Sequence, residues 1–452
     1  MTVRNIFAGS TICCLADRFD VTVLSYYGVH LDSICPPEIA GRITYQVLQN
    51  PRWNLPGVRG AIERLVDRWG IYSLWERERL ATLSIYNLRG DWEEHPYRAV
   101  IDRIGGRAVN KIRKNPNRDW LRGLAYTVPV RRQLKDIDAV FVSSINLPKD
   151  RQLIYSCKKY GIPIFALVHS WDNLTSKGEL PAIPDCLMVW NEIMAQEAHE
   201  IHGVPQDRIE IVGGPQYETY RKLSQRVVRS SFMERLNINP DSKIISFAAN
   251  AAWMYPGEEE VVNSIVEAIS SGYFGNATLL LRLHPSHERT EFYKDKYRES
   301  KLVKLDEPDS GFAAGHTGSL GTNRQIREFV EFLIYSDVII NLASTIALDA
   351  ICFDTPVICL NFNSSSDGSE WYANQNHFLV SHFRPIVDSG AVYLPTSEDE
   401  LLRNILNALE NNRNKSAERK DLANKMIPNL KTGEIIAETI VKFLEAKNAD
   451  GS

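Results

Sequence analysis

The sequence predicts an α/β fold of two doubly wound, parallel-sheet halves facing a cleft, with a helical insertion in the first half. Three observations point there. The chain has 452 residues, more than one hydrophobic core holds. Its strand-like runs are short and apolar on both faces, as buried parallel strands are. Helical stretches separate them, and the alternation runs twice, on either side of a polar stretch at 215–240.

Taken in order, VRNIF (3–7) and DVTVLSYY (20–27) read as strands flanking the helical ICCLADRF. AVFVSS (139–144), IPIFALVHS (162–170), CLMVWN (186–191) and IEIVGG (209–214) continue the series. Helices at 151–161 and 192–203 lie between them. After Pro240-Asp241, a second series begins with KIISFAAN (243–250) and the helix EEEVVNSIVEAISS (258–271). TLLLRLHP (278–285), a helix at 324–336, DVIINLA (337–343), a helix at 345–353 and TPVICLNF (355–362) follow. Helices at 397–412 and 432–447 end the chain. The expected domains are 1–215, a linker at 216–240, 241–430, and a terminal helix and tail at 431–452 returning to the first half.

Residues 36–135 break this rhythm with amphipathic helical stretches, which suggests an insertion in the first domain. Between Arg98 and Asp136 stand eleven basic residues against three acidic ones, with Trp120 and Tyr126 interleaved. Such a run is either a solvated helix face or, from Arg98 to Lys135, a surface for anionic membrane or an anionic glycan.

Composition excludes several classes. The hydrophobic fraction is 44% and the charged fraction 24%, which is globular rather than disordered. A net charge of −4 carries no global signal for nucleic acid. The seven cysteines form no CxxC pair and lie mostly in apolar runs, the pattern of reduced thiols in a cytoplasmic protein. No signal peptide and no spanning apolar segment is read, so any membrane contact is expected to be peripheral.

Chemistry-bearing residues collect at strand ends. His169, Asp172 and Lys177 follow one apolar strand. His169 or Asp172 could accept a proton from an acceptor hydroxyl, Asp172 could instead be a nucleophile, and Lys177 could hold a phosphate. An Asx turn is the bland account of Asp172-Asn173. Arg282 and His284 close another strand and suit phosphate oxygens. His284 and His287 have a metal-like spacing with no third ligand, so no metal is expected. Ser344 and Thr345 sit where a strand meets a helix, as a cap or a diphosphate contact. Small residues around Asn250, and around Ser10 and Thr11, let a ligand approach the backbone. Neither loop is GxGxxG or GxxxxGK[ST], which disfavours hydride transfer and a P-loop. His199-Glu200-Ile201-His202 reads as a solvated helix face.

In this order the motifs resemble the GT-B glycosyltransferases, and more narrowly the bacterial surface-polysaccharide and CDP-glycerol glycerophosphotransferase-like superfamily. His169 to Gly178 resembles its His-Gly-x-x-x-Lys-x-x-Gly segment, and Val212-Gly213-Gly214-Pro215 its Gly-x-Pro segment. Arg282-Leu283-His284-Pro285 matches Arg-x-His-Pro. Ser336-Asp337 through Ser344-Thr345, Asp349 and Thr355-Pro356-Val357-Ile358 resemble its Ser-Asp-x-x-Ile, Asp-Tyr-Ser-Ser and Lys-Pro-Val-Ile series. Asn341-Leu342-Ala343 departs from Asp-Tyr, and Ser170-Trp171 from the Gly-containing form.

The resemblance implies two Rossmann-like domains and a metal-independent, cofactor-free transferase. A nucleotide-sugar donor would meet Asn250, Arg282, His284, Ser344, Thr345 and Asp349. His169 or Asp172 would serve a glycan or lipid-linked acceptor, with Lys177, Ser10 and Thr11 contacting acceptor or phosphate. A CDP-polyol phosphotransferase, a non-hydrolysing UDP-sugar epimerase and a non-catalytic scaffold are the alternatives.

Overall fold

The computed structural model describes residues 6–7, 9–25, 35–47, 134–143, 145, 148–176, 180, 182–250, 255, 257–284, 290–307, 323–362, 378 and 380–450. The chain forms two compact units, Met1–Pro215 with Leu430–Ser452, and Gln216–Asn429. Both are α/β with parallel sheets, the fold class expected from the sequence.

In the first unit the described elements begin with α1 (Ser10–Ala16), β1 (Thr22–Ser25), α2 (Pro37–Ala40), β2 (Thr44–Val47) and β3 (Val140–Val142). α3 (Pro148–Tyr160), β4 (Ile164–Leu167), α4 (Asn173–Ser176), β5 (Cys186–Val189), α5 (Glu192–Glu200) and β6 (Ile209–Ile211) follow. Strands β3 to β6 form one parallel sheet in sequential order, and β1 pairs with β2 in another. β4 and β5 are buried along their whole length, which is why IFAL and CLMV show no polar alternation.

The second unit opens with α6 (Pro215–Ser224), α7 (Arg229–Arg235), β7 (Lys243–Ala248), α8 (Glu258–Ser270) and β8 (Ala277–Arg282). Next come α9 (Thr290–Tyr297), β9 (Val303–Asp306), α10 (Asn323–Tyr335), β10 (Val338–Asn341), α11 (Ile346–Ile351) and β11 (Val357–Cys359). α12 (Arg384–Asp388), α13 (Glu398–Glu410) and α14 (Ser416–Met426) close it. The core on one sheet face takes alternate residues of three strands, Ile245 and Phe247, Leu279 and Leu281, Val338 and Ile340. Val261, Val262 and Ile265 of α8 cover them at helical spacing.

The four-stranded sheet of the first unit and the five-stranded sheet of the second use the same lock at their amino ends. Asp185 precedes β5, and its carboxylate accepts the Ile164 N–H of β4 at 2.9 Å. Asp337 precedes β10, and its carboxylate accepts the Ile244 N–H of β7 at 2.8 Å. Ser336 adds a bond to Ser246 at 2.6 Å. The Ser336-Asp337 pair of the motif series therefore registers two strands.

The last helix, α15 (Thr432–Asp450), belongs to the first unit. It packs on α1 through Gly433, where a Cβ would fall 2.8 Å from the Ser10 carbonyl carbon and 2.9 Å from the Thr11 nitrogen. Gly213, at φ +83°, leaves the same kind of room: a Cβ there would meet Thr432 Oγ1 at 2.9 Å. Phe443 meets Phe165 edge-on at 5.1 Å. Gly433→Ala is expected to cost about 1–3 kcal/mol, because backbone atoms, and not only the Ser10 hydroxyl, block the new methyl. Urea unfolding measures this, and an unchanged midpoint would show that α1 and α15 can separate freely.

The structure departs from the sequence reading in places. Ile6 and Phe7, from the first expected strand, have helical backbone; residues 1–5 are outside the described residues. β2 falls within the stretch read as an insertion, and residues 48–133 lie outside the described residues. Of the basic run, only Lys135 is described. All seven cysteines are free thiols. Burial pushes Cys157, Cys186 and Cys359 up to about 12 and Cys352 up to about 11. No helix among the described residues is long and apolar enough to cross a membrane.

Candidate functional site

The second sheet runs in the order β11-β10-β7-β8-β9. Its first strand, β7, is central, and the chain winds one way through β8 and β9 and then the other through β10 and β11. The reversal lies between β7 and β10, the position outside whose carboxyl ends doubly wound sheets bind ligands. The register Ile340↔Phe247 brings the loop after β7 beside the loop after β10. Asn250 stands on the first, and Ser344 and Thr345 on the second. His284 follows β8, the neighbour of β7. All four are half-buried rather than sealed in the core.

Hydrogen bonds shape these loops. Buried Asn341 ends β10, and its Oδ1 accepts the Ser344 N–H at 3.3 Å. Ser344 Oγ in turn accepts the Ile346 N–H at 3.4 Å, while Thr345, the N-cap position of α11, makes no side-chain cap bond. On the β7 side, Glu258 is fully buried at the start of α8. Its Oε2 accepts the Asn250 backbone N–H at 2.7 Å and the Asn250 Nδ2–H at 3.1 Å. Its Oε1 accepts the Tyr293 hydroxyl at 3.1 Å. Three donors converge on one carboxylate.

Arg282 and Asp349 have different surroundings. Arg282 pairs with Asp306, its register partner on β9, and its guanidinium lies 4.8 and 5.2 Å from the Phe329 and Phe332 rings of α10. That places the charge between sheet and helix, where it ties β9 to β8. Asp349 is 2% exposed within α11, in the packing of the unit.

In the first unit, His169 and Asp172 follow β4 at its carboxyl end, and both are half-buried. Asp172 starts the single turn α4: its backbone carbonyl accepts the Ser176 N–H at 2.8 Å, and its Oδ2 accepts the Ser176 hydroxyl at 2.6 Å. These bonds hold Asp172 within the turn that follows β4. The carboxylate is held rather than swinging. Trp190 Nε1 donates to the Val168 carbonyl at 2.9 Å and steadies the strand end that carries His169. Lys177 lies outside the described residues. Thr11 is 1% exposed, and Ser10 has the backbone of Gly433 against it, so this helix start is taken up by α15.

His202 corrects the reading of a solvated helix face. It is fully buried. Its Nδ1 accepts the Leu180 N–H at 3.2 Å, which puts the ring proton on Nε2, 2.7 Å from the Leu174 carbonyl. The imidazole thus clasps both ends of the segment that follows Asp172. His202→Leu strands two buried backbone groups, for an expected loss of about 1–3 kcal/mol. Faster hydrogen exchange at the Leu180 amide is the accompanying sign, and unchanged exchange there would refute the clasp.

No family model matches the chain, and no curated protein matches it. Similar solved structures include a glycosyltransferase from Rickettsia africae, 11% identical over 97% of this chain and 93% of that one, with a TM-score of 0.48. A UDP-GlcNAc 2-epimerase from Methanocaldococcus jannaschii is 18% identical over 74% and 83%, with a TM-score of 0.45. The wall teichoic acid polymerase TagF is 13% identical over 65% and 71%, with a TM-score of 0.44. These scores are below 0.5, and the fold stands on the two sheets themselves.

Proposed function

We propose that the chain is a glycosyltransferase that takes a sugar from a nucleotide-activated donor, without a metal, and passes it to a glycan or lipid-linked acceptor. The observation that carries this is the strand-order reversal between β7 and β10, flanked by loops of small and hydroxyl residues. In this reading His284, Ser344 and Thr345 meet the donor's phosphates. Glu258 and Asp306, carboxylates near these loops, are already bonded to protein donors, so they are not offered as metal ligands.

His169 takes the proton of an acceptor hydroxyl as its oxygen attacks the anomeric carbon. The bond from that carbon to the nucleotide phosphate breaks, and the nucleotide leaves with the electron pair. Asp172 is the second candidate for the proton. The basic run ending at Lys135 is assigned to peripheral contact with an anionic membrane, on the cytoplasmic side.

The test is a thermal-shift screen of the whole chain against CMP, CDP, UDP, dTDP, GDP and ADP with EDTA present. One nucleotide should raise the melting temperature, since a ligand of the folded state alone must stabilise it. His284→Ala should abolish that shift. No shift with any of the six would overturn the donor reading. Mass analysis of the product then separates sugar transfer from polyol-phosphate transfer, which retains a phosphate on the product. Epimerisation without acceptor would assign the chain to the epimerases instead.

A further inference from the structure

Asn250 has a fixed amide orientation, and the orientation decides what it can recognise. Its Nδ2 and backbone N–H both point at Glu258 Oε2, at 3.1 and 2.7 Å. Turning the amide over would set its carbonyl oxygen against that carboxylate, a repulsive contact with two acceptors and no proton. Glu258 cannot move to relieve it, because it is fully buried and its other oxygen holds the Tyr293 hydroxyl at 3.1 Å. The end of the side chain away from Glu258 is therefore Oδ1, an acceptor. Asn250 is half-buried and stands two residues beyond β7, at the strand-order reversal.

We propose that Asn250 offers its carbonyl oxygen to the ligand at this reversal, so that the group it reads is a hydrogen-bond donor and not a phosphate oxygen. Glu258 is the positioning residue that sets this polarity. The inference rests on the nucleotide reading above and narrows it. Phosphate contacts belong to His284 and the Ser344-Thr345 loop, and Asn250 selects for a hydroxyl of the ribose or for an N–H of the base. A bare diphosphate, whose ionised oxygens accept rather than donate, gains little from this residue.

The experiment is calorimetric titration of the whole chain with UDP, CDP, GDP, ADP and inorganic pyrophosphate. Asn250→Ala is expected to weaken the nucleotide that binds by about three- to tenfold, the loss of one neutral hydrogen bond. It should leave pyrophosphate unchanged. Glu258→Gln should retain nucleotide affinity, since its Oε1 can keep Asn250 while its Nε2 donates to the Tyr293 oxygen. Glu258→Ala should reproduce the loss seen in Asn250→Ala. A 2′,3′-dideoxy nucleotide distinguishes the sources: a loss confined to the ribonucleotide assigns the donor group to ribose, and a loss shared by both assigns it to the base.

Equal weakening of pyrophosphate and nucleotide by Asn250→Ala would overturn the proposal, and so would an unchanged nucleotide affinity. Either result leaves the nucleotide reading standing. Wild-type protein that binds none of the five ligands removes that reading, and this proposal with it.

Discussion

His169→Ala is expected to lower turnover by about 10²–10⁴-fold, the usual contribution of a positioned proton acceptor, and to leave nucleotide affinity as it is. The histidine stands two residues past β4, on a backbone steadied by Trp190. The nucleotide is assigned to loops of the second unit, so the two properties should separate. Steady-state rates with acceptor, beside a titration of nucleotide, measure both. If affinity falls as far as turnover, His169 does not act on the acceptor alone. If turnover holds, the proton role passes to Asp172, and Asp172→Asn becomes the decisive variant. That substitution keeps an acceptor for the Ser176 hydroxyl and removes only the charge, so a large effect from it would be chemical rather than structural.

Arg419→Ala is expected to destabilise the second unit by about 1–3 kcal/mol, the cost of leaving buried hydrogen-bonding groups without their donor. Arg419 is fully buried in α14. Its Nε donates to Asp354 Oδ1, its Nη1 to the Asn414 carbonyl and its Nη2 to the Asn412 carbonyl, each at 2.7 Å. Asp354 itself sits at φ +58°, a left-handed conformation held at the turn into β11. Truncating the arginine leaves two carbonyls without their donor, while Asp354 keeps Ser416 and Lys420. Denaturant unfolding measures the loss. A change below about 1 kcal/mol would mean that water replaces the guanidinium readily.

How much of this was legible in the sequence depended on what each residue had to contrast with. The inner strands β4, β5 and β10 were visible because IFAL, CLMV and VIIN are buried on both faces and bounded by turns. β9 was not: VKLD is four residues long, and its lysine and aspartate look like loop. Missing β9 meant missing Asp306, and without Asp306 the strand-end Arg282 looked free for phosphate.

Glu258 was illegible for a different reason. It opens a run of three glutamates, which reads as the acidic first turn of a helix, and nothing local says that the first of them is buried. His202 sat in a polar helix end, and only the segment near Leu180, distant in sequence, shows what its ring holds. Strand-end placement of His169, Asp172, His284, Ser344 and Thr345 followed from the alternation alone. Contacts that depend on a distant partner did not.

The return of α15 to the first unit has a consequence for the order in which the protein is made. Synthesis proceeds from the amino end, and all of Gln216–Asn429 is translated before Thr432 and Gly433. The second unit is contiguous, and no segment encoded after Asn429 belongs to it. The first unit has to wait, with the surface around Ser10 uncovered, until the helix that seats on it is complete. On the ribosome the later-encoded unit is therefore the first to finish, and the earlier one is closed by the last helix to arrive.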